Sequence, residues 1–228
     1  MNKRIIFLGG FVAIASLFSA IAHATAQVAI PVIPAETTAT VGACKFKIAN
    51  LFGGKLIIPN PKATPPRQGI YDLPDTGPKA SSVIRNFALF CIDASDKEIG
   101  TRLNARQVNG KWFRYTQWPR RDETEFTPFE PGAHPQTVQF KGSNWSGMGL
   151  TIDDTTGDEK RRARTFYFCL IHQAHALCGN SPVQWFADPA KRNELWKIKA
   201  ILQSVEFIDE PPPVESSPKN GSTSIPNK

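Results

Sequence analysis

The sequence has no long apolar run beyond its first residues. Of its 228 residues 41% are hydrophobic, yet only residues 5–22 run uncharged and apolar at near membrane length, which excludes a multi-pass membrane protein. No phosphate-binding glycine loop is present. The stretch Gly142-Ser143-Asn144-Trp145-Ser146-Gly147 looks like a nucleophile turn, but no Gly-x-Ser-x-Gly frame fits it. Asp153-Asp154 lacks the ligand spacing of a calcium loop. There is no internal repeat. No reaction is therefore spelled out, and the sequence assigns no catalytic residue, no cofactor and no metal. The charged fraction of 21%, with 19 Pro and 16 Gly, excludes a wholly disordered or fibrous chain.

What is present first is an address. Lys3 and Arg4 precede the apolar run, and Ala22-His23-Ala24 offers small residues where a signal peptidase reads. Residues 1–24 are expected to be a cleaved secretory signal peptide, which places the protein in the periplasm. No stable membrane anchor is then left, and no cysteine follows the cleavage site to accept a lipid. Cleavage takes two of the 27 Lys+Arg and none of the 20 Asp+Glu, so a mild basic excess remains, suited to an acidic partner. Residues 25–40, rich in Ala, Thr and Pro, read as an extended lead-in. Residues 210–228, with Pro211-Pro212-Pro213 and no aromatic residue, read as a disordered tail. Residues 41–209 are left as one domain.

Four cysteines in an exported chain are best read as two disulfides. Residues 164–172 and 175–183 read as strands around Gln173-Ala174. A two-residue connection there sets Cys169 opposite Cys178 and His172 opposite His175, and opposed residues are close enough for a disulfide. Cys44–Cys91 follows by elimination. Cys169, His172, His175 and Cys178 also have zinc-ligand chemistry. However, Cys169 and His172 point to opposite faces of a strand, so a continuous hairpin cannot gather all four around one ion.

Further strands are expected at 41–48, 55–58, 82–92, 103–108, 111–118, 137–140 and 147–152. Asn109-Gly110 is the most secure turn, because both residues tolerate positive φ. Residues 59–80 hold many prolines and read as a long loop. A helix is expected after Asp188-Pro189, with Leu195, Ile198, Ile201, Leu202 and Val205 near helical spacing. Phe207-Ile208 reads as a last short strand. The expected fold is α+β: a mainly antiparallel sheet with a C-terminal helix packed on it, stabilised by disulfides.

Residues 101–121 contain Arg102, Arg106, Lys111, Arg114, Arg120 and Arg121, no acid, and four interleaved aromatic rings. With Asn109-Gly110 as the loop, Arg102, Arg106, Lys111, Phe113 and Tyr115 share one face of a hairpin. Cations and planar rings on one face can hold an acidic protein loop. They could also stack single-stranded nucleic acid, but export argues against a nucleic-acid partner. These five residues are the candidate partner-binding set. A second cluster (Lys160, Arg161, Arg162 and Arg164, after Asp153, Asp154, Asp158 and Glu159) reads as a turn laced by local ion pairs. An envelope hydrolase built around His134, His172 or His175 is the alternative, and it requires a cleft that holds a histidine beside a carboxylate. A structural subunit of an envelope assembly is the third reading.

Residues 164–170, the return through Cys178-Gly179, and Ala200-Ile201-Leu202-Gln203-Ser204-Val205-Glu206-Phe207 resemble the end of Mog1/PsbP-like α/β sandwiches. They also resemble small periplasmic immunity proteins that neutralise type VI secretion effectors. The resemblance implies a sandwich closed by a helix, and inhibition of a toxin through protein–protein binding. It carries over no functional residue.

Overall fold

In a computed structural model of the chain, the described residues are 35–60, 62, 66–74, 82–115, 126–187 and 192–209. The signal peptide, the tail, Asp188-Pro189 and residues 25–34 of the lead-in lie outside them. In chain order the strands are β1 (Glu36–Val41), β2 (Cys44–Ala49), β3 (Lys55–Ile57), β4 (Gly69–Asp72) and β5 (Asn86–Asp93). Helix α1 (Asp96–Arg102) separates β5 from β6 (Ala105–Val108), β7 (Lys111–Tyr115), β8 (Phe126–Pro128), β9 (Gln136–Lys141) and β10 (Ser146–Asp153). Then come β11 (Ala163–His172), β12 (His175–Trp185), α2 (Leu195–Gln203) and β13 (Glu206–Phe207).

A seven-stranded antiparallel sheet, ordered β3-β4-β5-β12-β11-β10-β9, is the frame. Its interior strand β11, beside the central β12, contributes buried residues to both faces, and alternation sends them two ways. Phe166, Phe168 and Leu170 enter the main core with α2 (Ile198, Ile201, Leu202) and with the sheet β1-β2-β13 (Val41, Phe46, Ile48, Phe207). On the opposite face Cys169 packs under α1 with Ile99 and Leu103, and Tyr167 reaches the hairpin core of Ala105, Leu150 and Ile152. Gly149 on β10 makes room for an aromatic neighbour, since a Cβ there would strike the Phe166 ring.

The hairpin register is the expected one, with Cys169 opposite Cys178 and His172 opposite His175. Disulfides join Cys169–Cys178 within the sheet and Cys44–Cys91 between the two sheets.

Several expectations need correction. The expected strand 41–48 is two strands, because Gly42 takes φ +57 and reverses the chain so that Val41 faces Cys44. Residues 36–40, read as lead-in, are therefore strand. Within the expected loop 59–80, Gly69–Asp72 is a strand whose Tyr71 is fully buried. The expected strand 103–108 begins only at Ala105. Before it lies α1, where the Ser95 side chain accepts from the Glu98 N–H at 3.3 Å, Asp96 and Glu98 sit in the first turn and Arg102 in the last. That Ser-x-x-Glu pattern is a capping signal that favours helix. Helix α2 starts at Leu195, whose N–H donates to Asn193 Oδ1 at 2.9 Å, while Glu194 at the N-cap position makes no capping bond. The architecture is thus sheet-dominated, with two short α-helices among the described residues.

Candidate functional site

Two regions outside the core gather chemistry. The first is the small sheet β6-β7-β8. Arg106 faces Phe113, and Val108 faces Lys111, across the Asn109-Gly110 turn. One side of this sheet packs inward: Ala105 and Trp112 join the hairpin core, and the Trp112 indole N–H donates to Thr137 Oγ1 at 2.9 Å. Alternation puts Arg106, Phe113 and Tyr115 on the other side. Arg106 and Lys111 are exposed, and Phe113 and Tyr115 half-buried. The Arg106 guanidinium lies 5.4 Å over the Phe126 ring, which in turn stands 5.4 Å from Tyr115. Stacking holds the cation in place while leaving its N–H edge free to bond. Arg102 is the exception. It lies on α1, not on the hairpin, with its guanidinium 4.8 Å over Phe90 of β5.

The second region is a cleft of about 740 Å³, lined in part by Gly132, His134, Asp153, Lys160, Arg162 and Phe186. His134 Nδ1 is 3.2 Å from Asp153 Oδ2. Arg164 donates to both oxygens of the same carboxylate, at 2.6 and 2.8 Å. The Asp153 side chain is only 8% exposed, whereas that of His134 is 63% exposed. The charge-assisted fork with Asp153 lifts the already high Arg164 pKa. Burial first, and then the nearby Asp154 charge, raise that of the Tyr167 phenol beneath. His134 has a left-handed backbone, φ 39 and ψ 56, directly before Pro135. Such a conformation costs a residue with a side chain on the order of 1–3 kcal/mol.

The sequence offers His134 as a base without a partner and Asp153 as part of a solvated turn; the fold brings them together. The rest of that turn is laced by local pairs as expected, with exposed Arg161–Asp158 at 3.9 Å and half-buried Arg162 at 3.8 Å from Glu159. The signal that could have found the pair is register. Strand β9 runs antiparallel to β10 with Gln136 opposite Thr151, and two further residues along each chain lead to His134 and Asp153.

The other two histidines among the described residues sit at the β11–β12 turn. His172 has both nitrogens engaged, Nδ1 with the Asn144 carbonyl and Nε2 with Asp209, each at 2.7 Å. Its ring stacks on Phe207 at 4.8 Å. It anchors β13 and has no free nitrogen for chemistry. His175 stands 3.8 Å from Asp93 at the exposed edge. Both cysteines of that hairpin are tied to each other, so neither is a thiolate ligand.

No protein-family model matches the chain, and no curated protein matches it.

Proposed function

We propose that this is an exported, periplasmic protein that binds and inhibits a protein partner, as an immunity protein neutralises a secreted toxin. Two disulfides fit an oxidising compartment. The observation that carries the binding role is the outward face of β6-β7-β8. It carries Arg106, Lys111, Phe113, Tyr115 and Phe126, and its three strands contain no acidic residue. Such a face complements an acidic protein surface, on which Arg and Tyr are favoured anchors.

The test is capture of the partner by tagged mature protein (residues 25–228, oxidised) from its own organism, followed by affinity measurement. One dominant partner is expected, bound more weakly as salt rises. The Arg106→Ala/Tyr115→Ala double variant should lose at least about 2 kcal/mol, roughly 30-fold in Kd. Unchanged affinity would remove this face from the interface. A partner that still binds the double variant fully would point to another surface, whereas no partner at all would end the inhibitor reading.

A further inference from the structure

The cleft at His134 is separate from that face, and its features are not those of a solvated turn. Asp153 is a buried carboxylate saturated on one side by Arg164, and it can only accept. Nδ1 of His134 therefore carries the hydrogen it shares with Asp153, and Nε2 is left without a protein partner among the described residues. In the neutral ring that nitrogen holds a lone pair. The strained backbone of a residue fixed before a proline holds the imidazole at the cleft. Two cations also line the cleft, Lys160 and Arg162. Lys160 Nζ has no ion-pair partner among the described residues. Arg162 Nε is buried and has no hydrogen-bond partner, although its other nitrogens reach Gly157 and Glu159. Phe186 and Ala187 give the cleft an apolar side.

A base held in one tautomer by a carboxylate, cations to face an oxyanion, and an apolar wall for a small group make up the parts of an acyl-transfer site. We propose that this cleft hydrolyses a small carboxylic ester, with His134 as general base toward water. His134 Nε2 takes a proton from water as the water oxygen bonds to the acyl carbon. The carbonyl electron pair moves to an oxyanion stabilised by Lys160 and Arg162. Collapse breaks the bond to the alkoxide, which receives the proton back from Nε2, so that a carboxylic acid and an alcohol leave. Asp153 is a positioning residue. It holds the ring and stabilises the imidazolium, and Arg164 fixes the carboxylate through its two hydrogen bonds.

The experiment is hydrolysis of p-nitrophenyl acetate and butyrate by the oxidised mature chain, followed across pH. The expected result is saturable turnover of both esters. His134→Gln should lose about 100-fold or more in kcat. His175→Gln should match wild type, and Asp153→Asn should lower kcat more than it alters KM. A His134→Gln rate equal to wild type would overturn the proposal, and so would a wild-type rate no better than free imidazole at equal concentration. Asp153→Asn also loses the bidentate Arg164 contact and can fail to fold. The nitrogen-15 spectrum of wild-type His134 is therefore the second measurement, and a hydrogen on Nε2 instead of Nδ1 would overturn the proposal too. The partner-binding reading stands or falls on different residues and a different assay.

Discussion

Glu194 shows how one side chain can tie a loop to a helix. Its Oε2 accepts from the Ser82 hydroxyl at 2.8 Å and from the backbone N–H of Val83 and Ile84 at 3.0 and 3.2 Å. Its Oε1 accepts from Lys197 Nζ at 2.6 Å. Burial works against the charge, but the bonds from Lys197, Ser82 and Ile84 outweigh it, and the carboxyl is held below its usual range. A depressed folded pKa means that the stabilisation is complete above the ordinary glutamate range, near about 4.3. It is lost as pH falls through the lower folded value. Glu194→Gln should therefore cost about 1–2 kcal/mol at about pH 7, and the gap should narrow by about pH 3. Urea unfolding at the two pH values decides it, and an equal gap at both would contradict the assignment. Tyr71 works differently. Its hydroxyl donates to the carbonyls of Ala49 and Leu51 at 3.0 and 3.1 Å, and burial pushes its pKa up, so it stays neutral and structural.

At the scale of elements, legibility followed the range of the forces. Strands β11 and β12 could be read because β-prone residues surround a two-residue connection, and local geometry then dictates the partner of every residue. The β6–β7 turn could be read for the same reason, since Asn109 takes φ 51 and Gly110 φ 79 as the turn demands. Helix α1 could not, because its apolar content is little more than Ile99 and Leu103, too few to set a period. Its stability comes from the Ser95 cap and from packing on a disulfide and strands distant in sequence. Ser95→Ala should accordingly cost about 1 kcal/mol, a fall of roughly 2–4 °C in Tm. A calorimetric scan showing no change would mean that tertiary packing alone holds this helix. Strand β4 was hidden by the prolines on either side of it, and the burial of Tyr71 explains why Gly69–Asp72 is extended and paired. The candidate cleft was half legible: the histidine and the carboxylate were visible, but their meeting depends on a register carried through β9 and β10 past a strained residue.

At the scale of the molecule, the two disulfides are unequal. Cys169–Cys178 spans a sequence separation of 9 within strands that already pair, whereas Cys44–Cys91 spans 47 and joins separate sheets. In the chain-entropy view the longer loop gives the larger constraint, about 3–4 kcal/mol. The Cys44→Ala/Cys91→Ala pair should therefore lower the denaturation midpoint more than Cys169→Ala/Cys178→Ala. The reverse order in guanidinium unfolding would show that native packing at β11–β12, not chain entropy, dominates.

The sheet β1-β2-β13 has a consequence in time. Its middle strand β2 pairs on one side with β1, just before it in the chain, and on the other with β13, where Phe46 meets Phe207. Trp145 and Asn144 then bond to Val205 and Phe207 from a third region. This clasp cannot close on a nascent chain until Phe207 has left the ribosome. Its closure is therefore late, slowed by the long-range pairing it requires, and until then β2 has only its neighbour β1 for a partner.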